Sequence, residues 1–239
     1  MKLRYLYVCA VVVLIAGCST RSISDSGYSR YGHYGSSPLY RGELSEFDVL
    51  GVRTGAAVSD EEIERAFTEA PSRKQLRKGD SILLIQSGAT IPDEEMLGHL
   101  EKVFSVSVFS GVPEQERADG DSYASSLRLA AAKGGIETIV VYWGVLESGT
   151  ENLATKTVSW LPIVGRAVPD ESQHMRIRLK IAVVDVRSGH WEIFTPATHD
   201  DTAYSARLTR RGSDQSQVAS LKTAAYADAA EELIARVVQ

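Results

Sequence analysis

The chain has 239 residues, 44% of them hydrophobic and 24% charged, a formal charge of −5 and two cysteines. That length suits one sizeable domain, and an acidic balance argues against nonspecific nucleic-acid binding. Both cysteines, Cys9 and Cys18, fall within the first eighteen residues, so the body of the chain beyond them has no disulfide, cysteine nucleophile or cysteine metal site.

The leader opens the chain. Lys2 and Arg4 make a positive start, Leu6 to Leu14 is apolar, and Leu14-Ile15-Ala16-Gly17 leads small residues into Cys18. Residues 1–17 therefore read as a secretory signal. The apolar run is too short for a spanning helix, which needs about 20 residues. The Leu14 to Cys18 block resembles the lipobox of bacterial lipoproteins, in which the cysteine is acylated and becomes the first mature residue. That resemblance implies lipidation of Cys18. Because Ser19 follows instead of the aspartate typical of inner-membrane retention, it also implies the outer membrane, periplasmic face. Loss of Lys2 and Arg4 leaves 24 basic residues against 31 acidic ones, a balance of −7.

Residues 18–42 read as the acylated cysteine and a flexible tether, rich in serine, glycine and tyrosine. Such a composition buries too little to offset its ordering entropy, and its coil reach would be about 25–30 Å. Residues 43–239 then read as a single α/β domain.

Within it, Ser59-Asp60-Glu61-Glu62 is a capping box, followed by Ile63, Ala66 and Phe67 at helical spacing until Pro71. Ser72 to Lys78, with Arg73, Lys74, Arg77 and Lys78, reads as a solvated connector. Ser81 to Gln86 is a short apolar strand between Gly79-Asp80 and Ser87-Gly88. Pro92-Asp93-Glu94-Glu95 opens a helix, since proline and acids suit a first turn. Ser105 to Phe109 is a second strand, Ser122 to Lys133 an alanine-rich helix stopped by Gly134-Gly135, and Thr138 to Leu146 a strand covered on both faces. This βαβαβ order builds parallel crossovers. Leu153 to Trp160 and Met175 to Arg187 read as further strands, the latter joined through Ser188-Gly189 to a returning strand over His190 to Thr195. A long helix from about Asp214 to Val238 closes the chain, its stripe being Val218, Leu221, Ala225, Ala229, Leu233 and Val237. The expected fold is a single mixed sheet from a βαβαβ unit and an antiparallel hairpin, with helices packed on it.

The Met175 to Arg187 strand holds a conflict. Met175, Ile177, Leu179, Ile181 and Val183 share one face, and Arg176, Arg178 and Lys180 the other, but Val184 and Val186 put apolar groups on the charged side. A period of two then requires a bulge or a change of cover near Ala182 to Val184.

Several motifs carry candidate chemistry. Gly79-Asp80-Ser81-Ile82 resembles the nucleophile block of GDSL hydrolases, but the serine precedes its strand and no Asp-x-x-His follows, so the hydroxyl has no base. Gln86-Ser87-Gly88-Ala89-Thr90 lacks the lysine and glycines of a phosphate loop. His190, Glu192, His199 and Asp201 cluster in sequence, and His190 with Glu192 share one strand face. Arg176, Arg178 and Lys180 form a basic stripe in an acidic protein. Trp160-Leu161-Pro162-Ile163-Val164 is an apolar connector between strands, of a kind that docks onto a partner or membrane or folds down on the core.

Two segments resemble a known group. Ser125 to Gly144, a helix, Gly-Gly and an apolar strand, and Arg176 to Trp191, where Asp185, Arg187 and Gly189 form a strand–Asp-x-Arg-x-Gly hairpin, are similar to CsgG-type curli-secretion lipoproteins and the N-terminal domain of TolB. The resemblance implies a compact envelope domain serving assembly or secretion without catalysis.

The expectation is therefore a non-enzymatic accessory lipoprotein that needs no cofactor. It is held to the membrane by acyl chains and binds an envelope protein through Trp160, Leu161, Ile163, Val164, Arg176, Arg178 and Lys180. The alternatives are a peptidase-like metal-dependent hydrolase using His190, Glu192, His199 and Asp201, and a secretion-pore subunit.

Overall fold

The computed structural model describes residues 19–26, 40–52, 58–69, 75–113, 123–152, 169–206 and 210–238. In chain order the elements are β1 (Ser19–Ser22) with a 3-10 turn (Ile23–Asp25), α1 (Glu46–Leu50), α2 (Asp60–Glu69), β2 (Ser81–Gln86) and α3 (Glu94–Leu100). They continue with β3 (Ser105–Val108), α4 (Tyr123–Lys133), β4 (Thr138–Asn152), β5 (Pro169–Asp185), β6 (Trp191–Phe194), β7 (His199–Ala206) and α5 (Arg210–Val237).

Among the described residues these strands make one seven-stranded mixed sheet, ordered β3-β2-β4-β5-β6, with β1 on β4 and β7 on β5. β2 pairs in parallel with both β3 and β4, as the βαβαβ reading requires, while β5 runs antiparallel to β4. The β4–β5 pair is unbroken from Thr138↔Asp185 to Asn152↔Glu171. It is the spine of two regions. At one end it lies between β2 and β6. At the other it lies between β1 and β7.

The conflict in β5 is resolved by a change of cover, not by a bulge. Met175, Ile177, Leu179, Ile181 and Val183 pack in one cluster with Val218, Leu221, Ala229 and Leu233 of α5 and Met96 and Leu100 of α3. Val184 and Val186 pack on the other face with Leu127 and Ala131 of α4 and Val49 of α1. That second cover stops before Lys180, so Arg176 and Arg178 lie exposed on the same face.

Four sequence expectations are corrected. Ser19–Ser22 is a strand, not tether, because its backbone pairs with Val145–Ser148, and Ile23, 2% exposed, enters the core. β4 runs on to Asn152, since β5 pairs with it to that end and β1 as far as Ser148. His199–Ala206, where no strand is read after the His190 to Thr195 strand, is held as β7 by pairing with Pro169–Ile177, a signal that its polar sequence conceals. The Ser188-Gly189 turn is longer than two residues: β5 ends at Asp185 and β6 begins at Trp191. Its motif residues build that turn. The Asp185 carboxylate accepts from Ser188 N at 2.8 Å, and Gly189 adopts φ +77°, open to glycine at no steric cost.

The capping box on α2 forms as read, with Ser59 N donating to Glu62 Oε2 at 3.0 Å and Glu62 N to Ser59 Oγ at 3.3 Å. Its apolar face is nonetheless not covered by described residues, Phe67 being 75% exposed. The Leu153 to Trp160 strand expectation lies outside the described residues, as does most of the tether.

Candidate functional site

Sheets built from parallel crossovers bind ligands beyond the carboxyl ends of their strands. Here that place is Gln86, in register with Tyr142, at the start of the β2–α3 turn. The chain fills it with its own polar groups. Tyr142 OH donates to Gln86 Oε1 at 2.6 Å, and Asp93 N donates to the same oxygen at 2.7 Å. Gln86 Nε2 donates to Asp93 Oδ2 at 3.3 Å, where Tyr226 OH, at 2.6 Å, and Lys222 Nζ, at 3.0 Å, also converge. The two phenol rings meet edge to face, with centroids 5.9 Å apart.

Burial pushes both phenols well above their ordinary pKa, and the Asp93 charge adds to this for each. Both phenols are therefore neutral hydrogen-bond donors. Asp93 makes no side-chain cap on α3, because its carboxylate faces Tyr226 and Lys222 instead. The network locks α5 to the β2–α3 turn. Composition concealed it: a glutamine at a strand end, a tyrosine inside an apolar run and an aspartate at a helix start were its only traces.

The N-terminal segment closes the crevice from outside. Ser24 Oγ donates to the Ser87 carbonyl at 2.6 Å and accepts from Gln86 Nε2 at 3.0 Å. Leu44 N donates to Ser87 Oγ at 2.8 Å, and Trp143 Nε1 to the Leu44 carbonyl at 2.8 Å. Ser22 Oγ donates to Glu43, whose carboxyl is pushed above its ordinary value chiefly by burial. Tyr40 lies over Gly88, where an added Cβ would sit 2.8 Å from its ring. Gly88, at φ +77°, is thus required for both its backbone and the close approach. The Ser87-Gly88 turn is a seat for the chain's own segment and not a phosphate loop. Ser81 stands at the amino end of β2, behind a turn in which Asp80 accepts from Arg77 N, as the loop-to-strand reading requires.

The other sequence candidates are not brought together. Glu192 is opposite Val183, His199 opposite Ile177 and Asp201 opposite Met175 along β5. Glu192 and Asp201 are thus about 25 Å apart along the strand direction, so they cannot share one ion. Two of them are also otherwise engaged: Arg236 bonds Glu192 at 3.2 Å, and His199 pairs with Asp228 at 3.0 Å. His190 lies in the β5–β6 turn, where its carbonyl accepts from Asp185 N at 2.8 Å. Among the described residues no group of three or more ligand-type side chains could hold a metal.

The basic stripe does share one face. Arg178 pairs with Glu147 and Lys180 with Glu46 of α1, while Arg176 is in register with Glu147 and Asp200. The stripe is therefore a mixed-charge surface, not a cationic one. Beside it, Ser19, Thr20, Glu147, His174, Arg176 and Asp200 help line an open groove of about 440 Å³. Cys18, Trp160, Leu161, Ile163 and Val164 lie outside the described residues. No helix among the described residues is long and apolar enough to cross a membrane.

The family model of the YafT bacterial lipoproteins matches residues 45–236. The chain belongs to this family. No curated protein matches it significantly. Among solved structures it is similar to the PelC dodecamer from Paraburkholderia phytofirmans, at 14% identity over 64% of this chain and 92% of that one, with a TM-score of 0.27. Lipoprotein GNA1162 from Neisseria meningitidis is 15% identical over 59% of this chain and 96% of that one, with a TM-score of 0.24. The hypothetical protein CT253 from Chlamydia trachomatis is 11% identical over 66% and 95%, with a TM-score of 0.28.

Proposed function

We propose that this lipoprotein is acylated at Cys18, is held on the periplasmic face of the outer membrane, and serves assembly by binding another envelope protein without catalysis. The observation that carries this reading is the filled crevice. Where an α/β enzyme would admit substrate, Gln86, Asp93, Tyr142, Tyr226 and Lys222 bond one another and Ser24 and Tyr40 cover the turn. The lipobox-like block before Cys18 and membership of a lipoprotein family support it. The contact surface is the apolar connector bearing Trp160, Leu161, Ile163 and Val164, together with Arg176, Arg178 and Lys180.

The test is crosslinking in intact cells, followed by identification of captured proteins, with the Trp160→Ala/Ile163→Ala double variant as comparison. One reproducible envelope partner, lost in the variant, is expected. An unchanged capture pattern and unchanged envelope phenotype in the variant would remove the connector from the proposal. A purified enzyme activity lost with Asp93→Asn would overturn the non-catalytic reading.

A further inference from the structure

Among the described residues, β1, β3, β6 and β7 each leave one edge of the sheet unpaired. Charged side chains on an edge strand oppose pairing with another chain. β1 carries Arg21, β6 carries Glu192, and β7 carries Asp200 and Asp201. β3 is as short as β1 and β6 but holds no charge, reading Ser105-Val106-Ser107-Val108 and running into Phe109 and Ser110. Val108 and Phe109 are each 40% exposed.

The β2–β3 ladder fixes which backbone groups of β3 face outward. Ser105 N donates to the Asp80 carbonyl at 3.0 Å and Phe109 N to the Leu84 carbonyl at 3.0 Å, within the parallel register Ser81↔Ser105 to Leu84↔Val108. Along a strand, alternate residues turn their N–H and C=O to opposite neighbours. Val106 and Val108 therefore turn theirs away from β2, where no described strand receives them. Backbone groups in that arrangement are completed by another extended strand.

β3 itself meets that demand. A two-fold axis through Ser107 sets two copies antiparallel, with Val106 of each opposite Val108 of the other. Both valines offer outward groups, so each such pair exchanges two hydrogen bonds, while Ser107 meets Ser107 and Ser105 meets Phe109 between the bonded positions. The valines then meet on the face where Val106 already packs against the main core cluster. Charge agrees with this register. At the start of α3, Asp93 faces Lys222 and Tyr226 of α5. At 3.6 residues per turn the opposite flank of that helix, toward the β3 edge, carries Glu95, His99 and Lys102, the last two 3.5 Å apart at Nδ1 and Nζ. The axis runs α3 antiparallel to its copy, which brings Glu95 of each toward Lys102 of the other. We propose that the β3 edge pairs with β3 of a second copy of this chain, joining the two sheets into one across a two-fold interface. The pairing holds whether or not Cys18 is acylated.

The experiment uses the full chain, first in intact cells and then released in detergent. Ser107→Cys puts two thiols at the axis, with Cα atoms about 4.5 Å apart, within disulfide reach. The wild type supplies the background from Cys9 and Cys18. Under mild oxidant, a disulfide-linked dimer several times stronger for Ser107→Cys than for Trp191→Cys, exposed on the β6 edge, is expected. Val108→Pro removes an N–H that points away from β2, so circular dichroism should show the fold intact while the pairing loses a hydrogen bond on each side of the axis. Native mass spectrometry of the released chain should show a wild-type dimer and severalfold less of it for Val108→Pro. Equal crosslinking at positions 107 and 191, a monomeric wild type, or an undiminished dimer in folded Val108→Pro would overturn the proposal. A Ser107→Cys crosslink to a different envelope protein in place of the dimer would give the edge to a foreign strand and overturn the second copy.

Discussion

The β4–β5 pair passes through two environments without a break in register, and the contrast between them explains most of this molecule. Between β2 and β6 it is covered on both faces, by α3 and α5 on one side and α1 and α4 on the other. Between β1 and β7, among the described residues, it is covered on one face only. Ile139, Val140, Val141 and Tyr142 are accordingly a continuous buried run, whereas Met175 to Lys180 alternates buried and exposed. The same backbone thus encodes a closed core at one end and an open polar face at the other. The N-terminal segment bridges the two, with β1 in the open region and Ser24 seated on the crevice of the closed one.

The largest test of this contrast is Ile139→Ala in the doubly covered region. Ile139 is 1% exposed, and its loss is expected to cost about 2–5 kcal/mol in chemical denaturation. At the junction, a Cβ on Gly144 would fall 2.5 Å from the Ile23 side chain. Gly144→Ala should lower stability by about 1–3 kcal/mol through overpacking, and earlier proteolysis around residues 19–26 would show that the segment has been displaced. An unaffected Gly144→Ala protein would mean that Ile23 does not hold β1 in place.

Tyr226→Phe removes one donor from the buried Asp93 oxygen and should cost about 1–2 kcal/mol with the fold intact by circular dichroism. Glu43 sharpens the comparison through pH. Its carboxyl is raised above the ordinary 4.5, so the folded state prefers the protonated form. Its stabilising contribution is full below the unfolded value and fades as pH rises through the folded one. Glu43→Gln should therefore match the wild type under acid conditions and melt at a higher temperature near neutral pH. A melting difference that stays constant with pH would show that burial does not set this carboxyl. The smallest effect belongs to the open face: Arg178→Ala, breaking an exposed pair with Glu147, should change stability by less than about 1 kcal/mol.

Local patterning alone specified much of this architecture. The βαβαβ order, the Ser59–Glu62 capping box and the α5 stripe of Val218, Leu221, Ala225, Ala229, Leu233 and Val237 follow from period and capping chemistry. All of them are seen. Those features depend on residues close in sequence, so their signal is local. Tertiary contact alone decided the rest. Ser19–Ser22 and His199–Ala206 are strands because Val145–Ser148 and Pro169–Ile177 satisfy their backbone, not because their side chains favour it. The metal candidates separate because register along β5 sets them far apart. The Gln86–Asp93–Tyr142–Tyr226–Lys222 network unites residues up to 140 positions apart by number (226 − 86), and no periodicity along a chain reports which distant polar groups a fold will bring together.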